Sequence, residues 1–146
     1  MGAFATGVTV VTTVVDGEFH GMTANAVASL SLDPPLVMVS VDNSALMHEH
    51  LTQGKCFAMN ILSEEQEAVS VQFATKGRKD FSNLKVKTGV TGAPVFEDAL
   101  GYVDCRLVNV LPAGDHDIFV GQIEEGDARE GRPLLFFGGK YGKVSD

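Results

Sequence analysis

Three stretches of the sequence carry groups that could do chemistry. From Gly21 to Ser31 nearly every side chain is small, and Thr23, Asn25, Ser29 and Ser31 offer hydroxyls, an amide and neighbouring N–H groups. Small side chains let a ligand approach the backbone, and such groups suit a phosphate or the edge of a heterocycle. A small-residue crossover packed in a β-core with no ligand is the competing reading. Lys76, Arg78 and Lys79 place three cations within four residues of an otherwise acidic chain. A guanidinium forks onto phosphate oxygens, so Arg78 is the first choice for a phosphate and Lys79 the second, with a merely solvated loop as the alternative. Phe73, just before that loop, could stack or pack beside a ring. His116 follows a glycine turn at Gly114 and precedes a strand, and it is the histidine singled out here.

Other chemistries are excluded by spacing. His48 and His50 are two apart on an expected helix, where they point to different sides, and no third ligand follows at a suitable distance, so no metal is expected. Gly138 to Lys143 lacks the ordered Walker pattern, and no G-x-G-x-x-G fingerprint is present. Cys56 and Cys105 form no C-x-x-C pair and read as reduced core residues of a cytoplasmic protein. The net charge of −8 argues against nucleic acid as a main partner. No apolar run of ~18 residues could span a bilayer, and no secretory signal is visible.

The elements that must position these groups are mostly strands. Thr6 to Val15 and Glu18 to Thr23 flank Asp16-Gly17 and predict a β-hairpin. Asp33-Pro34-Pro35 makes a rigid corner, because each proline locks φ and restricts the residue before it. The apolar run Leu36 to Val41 reads as a strand buried on both faces or nearly so. Asn43-Ser44 reads as the N-cap of a short helix carrying Leu46, Met47 and Leu51, ended by Gly54. After a strand from Cys56 to Leu62, Ser63-Glu64-Glu65-Gln66 fits a capping box opening a helix to about Thr75, with Ala68, Val69 and Phe73 on its apolar face. Strands are then expected at Val86 to Val90, Ala99 to Leu111, Asp117 to Asp127, Leu134 to Phe137 and Tyr141 to Val144, with a turn near Gly92-Ala93-Pro94. Many short strands with two helices favour a closed antiparallel barrel over a parallel sheet. At 146 residues the chain is expected to form one domain, 1–146.

Gly21 to Val41, G-M-T-A-N-A-V-A-S-L-S-L-D-P-P-L-V-M-V-S-V, resembles the signature segment of the flavin reductase-like family. These are small NAD(P)H:flavin oxidoreductases that supply reduced flavin to two-component monooxygenases. Phe4 to Thr13, Phe73-Ala74 before the basic loop, and Gly114 to Gly121 resemble the family in the same order. Family members usually carry a short helix before the F-A-T-G segment; this sequence starts almost inside that segment, as a trimmed chain would.

The resemblance implies a mainly β fold, a Greek-key FMN-binding split barrel with two or so short helices, that dimerises and shares its flavin site between subunits. It implies FMN or FAD as the flavin, NADH or NADPH as the hydride donor, and a flavin-dependent monooxygenase as a possible partner. By it, Thr23, Ala24, Asn25 and Ala26 line one edge of the isoalloxazine, and Ser40, Val41, Asp42, Asn43 and Ser44 form a second wall. Ser29 and Ser31 lie toward the ribityl chain and phosphate, Tyr141 closes the site, and His116 contacts the nicotinamide side. With no Rossmann fingerprint, the dinucleotide would dock transiently on the exposed flavin face. A non-catalytic flavin carrier or sensor on the same fold is the alternative.

Overall fold

The computed structural model describes residues 1–146. In chain order its elements are β1 (Thr6–Gly7), β2 (Thr9–Val15), β3 (Glu18–Ala24), β4 (Val27–Leu32), β5 (Pro35–Asp42), α1 (Leu46–Gly54), β6 (Cys56–Ile61), α2 (Glu67–Ala74), β7 (Val86–Thr88), β8 (Pro94–Phe96), β9 (Gly101–Ala113), β10 (His116–Ala128), β11 (Leu134–Phe137) and β12 (Lys140–Lys143). A seven-stranded antiparallel sheet runs in the order β3-β2-β6-β9-β10-β5-β4, beside a three-stranded sheet β1-β11-β12 and the pair β7-β8.

The connectivity forces the large sheet to curl. Its outermost strands, β3 and β4, are consecutive in sequence and joined only by Asn25 and Ala26. Laid flat, seven strands would hold those edges about 29 Å apart at ~4.8 Å per strand, whereas three Cα steps from Ala24 to Val27 reach at most about 11 Å. The edges therefore meet at this link, and the Ser40 N–H bonds the Ala26 carbonyl there at 2.9 Å. No ladder joins β3 to β4, so the barrel is split along that seam.

Local chemistry explains most elements. In the β2–β3 hairpin both turn residues, Asp16 and Gly17, have positive φ (50° and 80°), as a type I′ turn requires. The β-branched run from Thr6 to Val15 nevertheless folds as two strands. At the buried Val8 the chain leaves β11 and joins the large sheet. The expected two-faced burial of Leu36 to Val41 is not found. Val37, Val39 and Val41 point into the core while Leu36, Met38 and Ser40 are half-buried, the period-2 alternation of a barrel strand with one covered face.

Both helices begin later than their sequence signals. Asn43 and Ser44 do not cap α1: the Asp42 carboxylate takes the Ser44 N–H and hydroxyl at 2.8 and 2.7 Å, making an Asx turn, and the helix starts after Ala45. Gln66 bonds back to the Ser63 N–H at 2.9 Å, which is half of the expected capping box, but α2 itself starts at Glu67. Its buried face carries Ser70 and Phe73, while Ala68 is exposed. Pro94, expected in a turn, opens β8.

Buried polar groups fasten the layers. Asn60 donates to the Val10 carbonyl at 3.0 Å and accepts from the Phe96 N–H at 2.9 Å, tying β2, β6 and β8 together. The buried Asp104 carboxylate receives the Thr91 N–H and hydroxyl. Both cysteines are buried and free. Burial, with Asp104 and Glu124 adding to it, pushes the Cys105 thiol up to about 12, far from a reactive thiolate.

Candidate functional site

Strand β3 organises the site. Its faces are covered by different helices, as the contacts of alternate residues show. Phe19 meets Phe81 just beyond α2, a Cβ added to Gly21 would lie 2.9 Å from the Phe73 ring, and Thr23 donates its hydroxyl proton to the Ser70 carbonyl at 2.6 Å. On the other face His20 stacks on His50 of α1, with ring centroids 3.6 Å apart and planes within 10°, and Met22 and Ala24 join the core that holds Met47.

Between the helices lies a groove of about 990 Å³, the size of a pocket for a large ligand. It is lined by His20, Gly21, Met22, Thr23, Ala24 and Asn25 without a gap. Side chains of a strand alternate between faces, so six consecutive lining residues mean that the groove runs along the strand's edge. That edge has no strand partner, because β3 pairs only with β2. It presents backbone N–H and C=O groups free to bind.

The walls come from elsewhere in the chain. Asp42, Ser44 and Ala45 of the turn before α1, and Leu46, Met47 and His50 of α1, form one side. The Ser44 N–H and then its hydroxyl hold the Asp42 carboxyl below its ordinary range. Ser70, Phe73 and Ala74 of α2 form the other side, continued by Thr75, Lys76, Gly77, Arg78 and Lys79 and closed by Phe136 and Tyr141. The Tyr141 hydroxyl lies 2.7 Å from Ser70 Oγ. Phe73 is buried among Phe81 and Phe96, so it supports the groove floor more than it offers a free ring face. Arg78 is 72% exposed and only 3.6 Å from Glu18, a loose surface pair that leaves the guanidinium able to engage an anion.

Thr23, Ala24, Asn25, Asp42, Ser44, Phe73, Arg78, Lys79 and Tyr141 are thus brought together in one groove. Ala26, Ser29, Ser31, Ser40, Val41, Asn43 and His116 do not line it. Val41 is 1% exposed and faces the core; Ser29 and Ser31 sit on the edge strand β4. Ser40 is paired opposite Ile118, and the Asn43 N–H bonds the Asp115 carbonyl. His116 is in register with Asp42 and so stands beside the groove, its Nδ1 2.7 Å from Asp115 Oδ1.

His20 and Ser70 belong to the groove although spacing does not single them out, and Met47 and His50, which spacing places on α1 only as an apolar helix residue and a non-metal histidine, line it too. A signal existed for Ser70, a small polar residue between Val69 and Phe73 on the inward face of α2. The two expected helix histidines part company: His48 Nε2 lies 2.7 Å from Asp117 Oδ2, while His50 turns to His20. No helix is long and apolar enough to cross a membrane.

Comparison with known proteins places this geometry. The flavin reductase like domain model matches residues 1–145. FMN reductase (NADH) SmoA of Agrobacterium fabrum strain C58 is 41% identical over 145 residues, covering 99% of this chain and 83% of that protein. The flavin reductase PheA2 in its native state superposes with a TM-score of 0.93 at 44% identity, over 100% of this chain and 94% of that one. The Streptomyces globisporus C-1027 NADH:FAD oxidoreductase SgcE6, solved with NAD and FAD fragments, gives a TM-score of 0.93 at 36% identity, over 99% of this chain and 88% of that one. With the domain matched almost end to end and the split barrel shared, the chain belongs to the flavin reductase-like family.

Proposed function

We propose that this chain is an NADH-dependent flavin reductase that binds FMN or FAD in the β3 groove and releases it reduced to a partner monooxygenase. The observation that carries the reading is the groove itself, whose unpaired strand edge leads to a loop with three cations. A flavin ring edge carries alternating donors and acceptors, which an open strand edge complements. A phosphate suits Arg78 and Lys79. The relatives named above as NADH-dependent reductases support the same assignment over a non-catalytic carrier.

Held there, a flavin and a reduced nicotinamide would supply the hydride-transfer chemistry between them. The chain's own task is placement and charge. The end of β3 at Thr23 and Ala24, with Asn25 just beyond it, orients the ring, and backbone N–H groups there stabilise negative charge on the ring's oxygen edge. Asp42 and Ser44 hold the opposite wall as an ionised turn. Tyr141, fixed by Ser70, closes the end of the groove. His116 is assigned to the nicotinamide side, adjacent to Asp42.

The remaining proposed contacts, Ala26, Ser29, Ser31, Ser40, Val41 and Asn43, lie off this groove. Val41 can take part only through its backbone, and the serines of β4 reach a flavin only if a second copy brings them to it. A homodimer supports that arrangement, and the exposed Leu30, Leu32, Val108, Val110 and Leu111 offer apolar surface for it. The two free cysteines support a reducing, cytoplasmic setting.

The test is steady-state NADH oxidation under air with FMN, FAD or riboflavin titrated in. Saturable flavin-dependent oxidation is expected. Tight flavin binding with no NADH oxidation would favour the carrier instead.

A further inference from the structure

Helix α1, one wall of the groove, is held from two sides by its two histidines. Met47 and Leu51 form its buried stripe. At 3.6 residues per turn, His48 and His50 flank that stripe on opposite sides. His50 faces β3, where its ring stacks on His20 with centroids 3.6 Å apart. His48 faces β10, where its Nε2 lies 2.7 Å from Asp117 Oδ2 and its ring stands T-shaped to Phe119. The helix is pinned closely at its C-terminal end: a Cβ at Gly54 would lie 2.5 Å from Thr13 Oγ1 and 2.7 Å from the Val14 carbonyl oxygen. Its other end follows the exposed Asx turn at Asp42 to Ser44.

The two contacts respond to a proton in opposite ways. An imidazolium at His48 gains a charge-assisted bond to Asp117. A proton on the stack is opposed, because like charges repel strongly at that spacing. His50 Nδ1 is also buried without a hydrogen-bond partner, so an N–H at that atom would have no acceptor. Burial, and then His50, lower the His20 imidazole from 6.5, with Glu18 acting against the shift and Arg78 with it. The other charged groups around α1 have partners of their own. Asp42 is held by Ser44, His116 by Asp115, and Glu49 by Gln53.

We propose that His48 and His50 are positioning residues that make α1 an adjustable wall of the groove. The His20–His50 stack holds the wall to β3, and a proton taken up by that stack releases it toward Asp117 on β10, weakening a ligand bound between the two helices. The closely packed end at Gly54 is the pivot, and the end that carries His48 and His50 moves. The nature of the ligand rests on the reductase reading; the movement of the wall does not.

The experiment compares riboflavin affinity at pH about 7.5 and about 5.5, a unit either side of the ordinary histidine value, in the full chain and its His50→Phe and His48→Gln variants. Riboflavin is the probe because, unlike FMN, it has no phosphate that titrates in this range. Its affinity is expected to fall about tenfold from the higher pH to the lower, the weight of one unit. Phenylalanine keeps a ring on His20 and welcomes a protonated His20 through its π face, so His50→Phe is expected to abolish the fall. His48→Gln removes the charge gained beside Asp117 and is expected to reduce it. In the ligand-free chain, magnetisation transfer between the His20 and His50 ring protons is expected at the higher pH and lost at the lower, while that between His48 and Phe119 persists. Riboflavin affinity that does not change with pH, the same fall in both variants, or a His20–His50 stack that persists at the lower pH overturns the proposal. The ligand-free measurement needs no flavin, so a chain that loses the stack but binds no flavin contradicts the reductase reading alone.

Discussion

The Tyr141 hydroxyl and Ser70 Oγ lie 2.7 Å apart, joining β12 of the small sheet to α2 on the face of the large one. Ser70 is fully buried, and its carbonyl takes the Thr23 hydroxyl proton, so one residue of α2 ties both β12 and β3 to that helix. Ser70→Ala and Tyr141→Phe should each cost about 0.5–1.5 kcal/mol, the net value of such a bond. The double variant should cost less than the sum, because both single changes break one interaction. Urea denaturation of the four proteins checks this. Strict additivity would show that the contact contributes nothing.

Arg78 has no tight partner to lose, so its removal should leave stability nearly unchanged. Arg78→Ala should weaken FMN by about 1.5–3 kcal/mol, the value of a charge-assisted bond to phosphate. Riboflavin, which has no phosphate, should bind both proteins alike. Fluorescence titrations with the two flavins measure the difference. Equal FMN affinity in both proteins would remove Arg78 from the site.

Gly21 is required by packing. A Cβ there would come within 2.9 Å of two Phe73 ring atoms and 3.3 Å of Phe81. Gly21→Ala should therefore cost about 1–3 kcal/mol through overpacking and shift the ring beneath the groove. The expected readout is a lower denaturation midpoint together with a raised KM for flavin. A variant with both values unchanged would show that Phe73 yields freely.

Burial, and then the stacked His50, push the His20 imidazole below its ordinary value of 6.5. Above pH 6.5 the ring is neutral in folded and unfolded chains, and its contribution to stability is complete. As pH falls below 6.5 the unfolded chain takes the proton first, and the contribution is lost as pH drops through the folded value. Imidazole proton resonances should show His20 titrating below 6.5, and His50→Ala should raise its midpoint. Titration of His20 above 6.5 would contradict the stacked arrangement.

Much of this molecule is legible in its sequence where the cause is local. Asp16-Gly17 specifies its hairpin turn, and the apolar periodicity of Met47 and Leu51 places α1. Helix starts were less legible, because Ser44 bonds to Asp42 in an Asx turn, a local alternative to capping that the same residue types permit. The side chains of the groove divide in the same way. Thr23 to Asn25 are readable because they sit on one continuous edge. The His20–His50 stack joins residues thirty positions apart and depends on which face of β3 meets α1, which no spacing reveals. Val41 shows the converse: its neighbour Asp42 lines the groove, while its own side chain alternates into the core.

The most direct test of the central claim is anaerobic mixing of the protein and FMN or FAD with one equivalent of NADH, following loss of oxidised-flavin absorbance. Flavin reduction that is accelerated by the protein, matches NADH consumed and slows in a Thr23→Val, Asn25→Ala variant is the predicted result. Flavin that remains oxidised at the uncatalysed rate, although the same protein binds it, would contradict the reductase assignment.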